Sequence, residues 1–356
     1  VVDWQSIVRE LERSLNAPRD DSLFQTLAEL RQALLPLGEQ LKQRTVHLLG
    51  NAHLDVAWLW PIAETRDVAE RTFASALTLQ TQYPELVFNQ TTALSYQWVE
   101  AGNPELFARI QDAVKNDRWE ITSGTWVEPD LNLPCGEALV RQVLYGKTYF
   151  QDKFDVDVTV AWFPDSFGFN WQLPQILKKS GYTTFATQKL AWNDTNAFPH
   201  QWFWWQGLDG SKILAHCSSE IGQAIEPEAI ASFMAKQENH HDLREGLWLY
   251  GVGDHGGGPT ADMLDIGREW AQSDLFFTVN AATSERFFDI ARKALDSEAL
   301  PVWNDELFLE LHRGVHTTKA EQKRQNREVE MLLRNTEILS AIACLTDIVP
   351  YPSQTL

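Results

Sequence analysis

The sequence predicts an α/β fold: an irregular, seven-stranded, mostly parallel β/α domain, barrel-like in outline, followed by the start of a helical bundle. Seven short β-rich runs alternate with stretches of helical spacing, the pattern of parallel βαβ units. Three of these runs end in metal-binding or acid-base side chains: His53-Leu54-Asp55, Trp162 to Gly168, and Gly253-Asp254-His255-Gly256-Gly257-Gly258. Open α/β folds place ligands just past the carboxyl ends of their strands, so these three runs mark a catalytic rim.

The elements follow in order. Over residues 1–44, Trp4, Ile7 and Leu11, then Leu27, Leu30, Leu34, Leu37 and Leu41, recur at three- and four-residue spacing and predict amphipathic helices. After Arg44 the β-rich runs are Thr45 to Leu49, Leu86 to Asn89, Trp119 to Thr122, Val158 to Trp162, Tyr182 to Ala186, Leu247 to Val252 and Phe276 to Val279. Between the fifth and sixth, Trp202 to Trp205 and Ile213 to His216 flank Gly207-Leu208-Asp209-Gly210, which predicts a hairpin inserted into the repeat. Its Trp202, Trp204 and Trp205 read as structural. From Thr318 to Ala343, Ala320, Val329, Leu332, Leu333, Ile338 and Leu339 return to helical spacing. The expected organisation is helices over 1–44, a catalytic α/β domain over 45–300 and the opening of a helical bundle over 301–356.

Composition narrows the partners. With 356 residues, 44% of them hydrophobic, the chain can bury a large core. Thirty basic against 49 acidic residues give a net charge of −19, which repels phosphate backbones and anionic lipid surfaces. Neither nucleic acid nor membrane is an expected partner. No basic segment leads into an apolar core at the start, and no window approaches the ~18 apolar residues of a membrane span, so a cytoplasmic location is expected. Cys135, Cys217 and Cys344 are far apart and odd in number, which argues against a disulfide framework or a thiolate metal cluster. The sequons at Asn89 and Asn193 read as chance matches.

His53 and Asp55, two positions apart as the chain leaves a strand, point to one side and can bind one cation through nitrogen and oxygen. On spacing alone a buried His–Asp hydrogen bond is an equal reading. Asp165, between Pro164 and Ser166 after an apolar strand, either reaches into a site or caps a turn. The glycine run from Gly253 to Gly258 bares its backbone for a substrate or an anion, and without a following Lys-Ser/Thr it is no P-loop.

In order and wording, His47 to Trp58, Gly124 to Asp130, Trp162 to Gly168, Gln188 to Asn193, Phe198-Pro199-His200, Gly253-Asp254 and His312 to Thr318 resemble the glycoside hydrolase family 38, or class II, α-mannosidases over about residues 45 to 345. The wording is most similar to the cytosolic and bacterial branch. The resemblance implies a zinc site on His53, Asp55, Asp165 and His312, with cobalt or manganese chemically tolerable. It also implies an α-mannoside substrate whose O2 and O3 complete the metal's shell, and a retaining mechanism with Asp165 as nucleophile. Asp254 matches the family's acid/base motif; several relatives carry two consecutive Asp residues there, and His255 occupies the second position. His255 and Glu220 therefore stand as alternatives. Trp58 and Phe167 are implied sugar-facing aromatics, with Trp192 and Lys189 beside them; for Lys189 a solvated strand-end lysine is the competing reading.

Asn239-His240-His241-Asp242 mimics a ligand motif of the family's Golgi branch but reads as a surface decoy. His47, His200 and His216 read as satisfied core histidines, and His316 either shares the His312 helix face or backs the site. Two rival functions stand: a metal-dependent carbohydrate deacetylase or amidohydrolase, and a catalytically incomplete carbohydrate-binding fragment. Family members continue through a bundle and β-sandwich domains, so an exposed apolar seam, a homo-oligomer or contact with such C-terminal domains is expected.

Overall fold

The computed structural model describes residues 6, 9, 12, 13, 21–218, 221–253 and 255–353. Trp4, Ile7, Leu11, Glu220 and Asp254, singled out above, lie outside the described residues. Helix α1 (Asp21–Leu41) leads directly into β1 (Thr45–Asn51).

All seven β-rich runs contain strand. They lie within or overlap β1, β2 (Phe88–Gln90), β3 (Trp119–Ile121), β4 (Val160–Trp162), β5 (Thr184–Thr187), β8 (Glu245–Tyr250) and β9 (Thr278–Ala281). The hairpin forms β6 (Trp202–Gln206) and β7 (Lys212–Cys217), and a two-residue strand, β10 (Val302–Trp303), follows. The expected seven-stranded unit is instead ten described strands hydrogen-bonded as two sheets. The first has the order β3-β2-β1-β8, with β9 also pairing with β1; the second runs β10-β6-β7-β5-β4. Every pairing is parallel except that within the β6–β7 hairpin.

The hairpin occupies the middle of the second sheet because β7 continues the parallel ladder of β5, with Thr184 opposite Leu214 and Thr187 opposite Cys217. β10 escapes periodicity because two residues carry no alternation. The sheets meet where the chain leaves β3: Ser123 donates its amide to the Val160 carbonyl at 3.0 Å and its hydroxyl to the Trp162 carbonyl. This seam links β3 of the first sheet to β4 of the second.

β1 is buried at every position but its first, because neighbouring strands flank it and helices cover its faces, which is why it reads as a nearly continuous apolar run. The core against α2 (Ile62–Gln82) is aromatic: the Trp119 ring meets Phe73, Phe88 and Tyr96 at centroid distances of 5.3, 4.6 and 6.4 Å, and its indole N–H donates to the Tyr96 hydroxyl at 2.8 Å. One carboxylate is buried within this sheet. Glu120 accepts the Ser284 amide and hydroxyl at 2.8 Å each, the Glu285 amide at 2.9 Å and Asn89 Nδ2 at 3.0 Å, while Asn51 Nδ2 donates to Asn89 Oδ1 at 3.1 Å. Burial raises the Glu120 pKa, and these donors counter part of that effect. The carboxylate also sits at the positive end of α9 (Ser284–Ala294), where it supplies acceptors for otherwise unpaired helix amides.

The last helix, α10 (Ala320–Leu345), is anchored by the bidentate pair of Arg141 with Glu337, 2.6 Å at both contacts, and by the Cys135 amide on Glu330. Leu332, Ile338, Leu339, Ile342 and Leu345 on this helix are exposed. No helix among the described residues is long and apolar enough to cross a membrane.

The histidines divide. His47 is buried with Nε2 2.7 Å from Glu245 Oε2, and His200 is half-buried. His216 departs from the satisfied-core expectation: it is fully buried and stacked on Trp202 at 4.0 Å, and among the described residues neither ring nitrogen makes a hydrogen bond of good geometry, the Gln201 backbone offering only a weak contact that favours protonation. Stacking and dispersion hold the ring in place. Burial pushes its pKa down to about 3 from 6.5, so the unfolded chain takes up a proton that the folded chain refuses until about pH 3. Stability from this site is complete above pH 6.5 and falls on acidification, by at most about 1.4 kcal/mol per pH unit between the two values. Urea unfolding of His216→Phe should therefore show a shallower loss of stability from pH 6.5 to 4 than the parent chain; equal slopes would contradict the neutral buried imidazole.

Candidate functional site

The chain leaves β1 through Ala52 into His53, and the first sheet buries the imidazole to 7% exposure. It leaves β4 through Phe163-Pro164 into Asp165. Among the described residues, His53, Asp55 and Asp165 form a group able to hold a metal ion, with one ligand atom from each lying within 4.8 Å of the others. Two sheets thus contribute to one site: His53 and Asp55 from the end of β1, Asp165 from the end of β4.

A third carboxylate, not singled out from the sequence, borders this group. Glu128 follows β3 and places Oε2 3.3 Å from His53 Nε2, while its Oε1 accepts the Asp165 amide and, at 3.3 Å, the Ser166 hydroxyl. The motif Gly124 to Asp130 contained it, but nothing in its spacing distinguishes a site carboxylate from a loop residue. Burial pushes the His53 pKa down; the hydrogen bond to Glu128 and the charges of Glu128, Asp165 and Asp55 outweigh it and raise the value to about 9. The excess of negative charge around one imidazole suits a cation. One nitrogen and several carboxylate oxygens form a donor set that fits zinc, and the same set tolerates cobalt or manganese.

Lys189, in the 3-10 turn after β5, is not a solvated strand-end lysine: it is 3% exposed and ion-paired with Asp165. Its ammonium lies 3.4 Å from the Trp192 ring centroid and 5.1 Å from that of Phe167, so two aromatic rings flank the buried ammonium. His312 closes this aromatic wall, with its ring centroid 5.1 Å from Phe167 and 5.9 Å from Trp192. It lies outside the three-residue group above, in a left-handed conformation at the start of a short 3-10 turn. The segment before it is clamped: Glu310 accepts the amides of Asp194, Thr195 and Asn196, and Asn193 bonds the backbone of Phe308 and Glu310.

The glycine run packs onto the His53 strand end. Gly256 donates its amide to the His53 carbonyl at 2.8 Å, and Leu54 and His255 form an antiparallel bridge. Gly256 has φ +70°, and a Cβ there would meet Val68 and Thr72 at 2.6 and 2.7 Å, so the close approach requires glycine. His255 is 3.1 Å from Glu64 Oε1 and 3.8 Å, centroid to centroid, from Trp60. Trp58, 62% exposed, stands edge-on to Trp60 at 5.9 Å. The tryptophans of the hairpin are structural: Trp202 and Trp205 are fully buried, and the indole N–H groups of Trp202, Trp204 and Trp205 each meet an acceptor. His240 and His241 end α7 (Pro227–His241) and join no metal-binding group among the described residues. His316 lies 4.0 Å from Asp130, two residues beyond Glu128.

Lys189→Met removes the cation but keeps an unbranched side chain one atom shorter, leaving Asp165 beside apolar rings. In metal-free buffer this variant should lose up to about 3 kcal/mol of stability in denaturant unfolding, the low end for a buried pair because Asp165 keeps some contact with water. An unchanged midpoint would show that the ion pair contributes nothing to the fold.

Residues 43–306 match the family model described as the glycosyl hydrolases family 38 N-terminal domain. The chain is 40% identical to human alpha-mannosidase 2C1 over 303 residues, which cover 85% of the chain and 29% of that protein. It is 34% identical to the alpha-mannosidase of Saccharomyces cerevisiae over 371 residues, covering 99% of the chain and 33% of the yeast protein. It thus spans about a third of the length of these curated relatives. A solved structure of a family 38 glycosyl hydrolase from Enterococcus faecalis superposes with a TM-score of 0.67 at 21% identity, over 87% of this chain and 34% of that one.

Proposed function

Because the chain belongs to glycosyl hydrolase family 38, we propose that it carries the catalytic centre of a retaining, zinc-dependent α-mannosidase acting on terminal α-linked mannose of oligosaccharides or small mannosides. The convergence of His53, Asp55 and Asp165 from two sheets carries this reading. The cation would be held by these three residues with His312, and when bound it supplies Lewis acidity and a chelating point for neighbouring sugar hydroxyls.

Asp165 is the proposed nucleophile. One of its oxygens attacks the anomeric carbon, the glycosidic bond breaks, and the departing oxygen takes a proton from the acid/base residue, giving a glycosyl ester. Water, deprotonated by the same residue, then displaces Asp165 with net retention. Lys189, fixed against Asp165, opposes the negative charge that the carboxylate regains in the second step. Asp254 is the proposed acid/base, with His255 or Glu220 as alternatives. The backbone bonds of Leu54 with His255 and of Gly256 with His53 hold His255 and Gly256 against the His53 end of the cation site. Trp58, Phe167 and Trp192 would take the apolar faces of the sugar.

The experiment is hydrolysis of an aryl α-mannoside by the chain and by Asp165→Ala, with the anomer formed first read by NMR. Turnover with retained configuration, lowered about 10³-fold or more by Asp165→Ala, is expected. Undiminished turnover in the variant, or release of acetate from an acetylated sugar in place of mannoside cleavage, would contradict the proposal.

A further inference from the structure

We infer that Glu128 is the positioning residue of the cation site, the carboxylate that fixes the His53 strand end and the Asp165 turn in one geometry. The inference rests on the metal-centre reading above and goes beyond its ligand set.

The two halves of the site come from different sheets, joined at the β3–β4 seam by Ser123. The loop after β3 continues from that seam, and Glu128 uses both carboxylate oxygens across the junction. Oε1 accepts the backbone amide of Asp165 and the hydroxyl of Ser166, while Oε2 lies 3.3 Å from His53 Nε2. Ser166 also donates to the Pro129 carbonyl at 3.1 Å, so the Asp165 turn is bound to the Glu128 loop at two adjacent residues.

Glu128 is itself held from behind. The Trp126 amide donates to the Gln142 carbonyl at 3.0 Å and the Val127 amide to Gln142 Oε1 at 3.1 Å, which fastens the loop to α5 (Gly136–Phe154). On its other side, Ala93 and Leu94 donate to the carbonyls of Thr125 and Trp126, each at 3.0 Å. A side chain presented from so many backbone bonds, with only 15% of its surface exposed, can dictate the orientation of its neighbours. Outer carboxylates that hold a ligating histidine typically contribute about 10- to 100-fold to metal affinity. Glu128 holds a histidine and the backbone of a carboxylate ligand together, so its loss should act on both.

Two variants separate positioning from folding. Glu128→Ala removes both oxygens. Glu128→Gln keeps the volume and an acceptor for the Asp165 amide but removes the charge and presents an N–H donor to His53. Each is titrated with Co²⁺ alone in competition with a chelator, the visible spectrum of the bound ion is recorded, and thermal unfolding of the metal-free proteins provides the folding control. The expected result is one Co²⁺ per parent chain, affinity lower by about 10- to 100-fold in Glu128→Ala, partial recovery in Glu128→Gln, and an altered spectrum in both. Parent-like affinity and spectrum in the two variants would overturn the inference while leaving the metal site intact. If the parent chain binds no Co²⁺, the metal-centre reading fails first and takes this inference with it. If Glu128→Ala does not fold, Glu128→Gln decides: a parent-like spectrum and affinity overturn the role, and a changed spectrum in a folded protein supports it.

Discussion

His53, buried at the end of the central strand, faces the negative charges of Glu128, Asp165 and Asp55 within a few ångströms. Carboxylates held this close repel one another, and a weakly solvated site screens them poorly. The arrangement persists only if positive charge is supplied, and two protein sources are present. The imidazole holds its proton more tightly than a free histidine, and the Lys189 ammonium is buried against Asp165 beneath two aromatic rings. A divalent cation would replace the imidazole proton and satisfy the carboxylates together. This electrostatic demand links the fold to its chemistry.

The architecture brings that demand about through its seam. β1 pairs with β2, β8 and β9, so its end is rigid and His53 has little freedom. β4 is the last strand of the second sheet, and the Ser123 bonds to Val160 and Trp162 bring its end beside the first sheet. The loop carrying Glu128 runs on from the seam and spans the two ends. The glycine run closes over the His53 end from the other side, with Gly256 in a conformation and a space that only glycine fits without strain. Two further groups, Lys189 with Trp192 and His312 with Phe167, form a wall whose separation is set by the clamp between Glu310 and the 194–196 amides.

Much of this was legible in the sequence because it depends on local periodicity. Alternating β-rich and helical segments located the seven runs, and the polar residues at their ends marked His53, Asp55 and Asp165. Pairing partners are a different matter. Nothing in the alternation shows that β1 takes three neighbours, that β7 pairs with β5, or that the strands divide into two sheets, because those choices depend on contacts between segments far apart in the chain. Glu128 eluded the reading for the same reason: its partners, His53 and Asp165, are 75 and 37 residues away. His216 shows the limit of residue-type expectations. A buried histidine is usually hydrogen-bonded, yet here Trp202 and two phenylalanines, Phe287 and Phe288, surround it, and packing substitutes for polar partners.

The central claim is that residues from two sheets make one cation site. The direct measurement is calorimetric titration of the metal-free chain with Zn²⁺, beside the same titration of His53→Ala. One Zn²⁺ bound per chain, with binding lost or greatly weakened in His53→Ala, is the predicted result; no binding by the parent chain, or equal binding by both proteins, would contradict it.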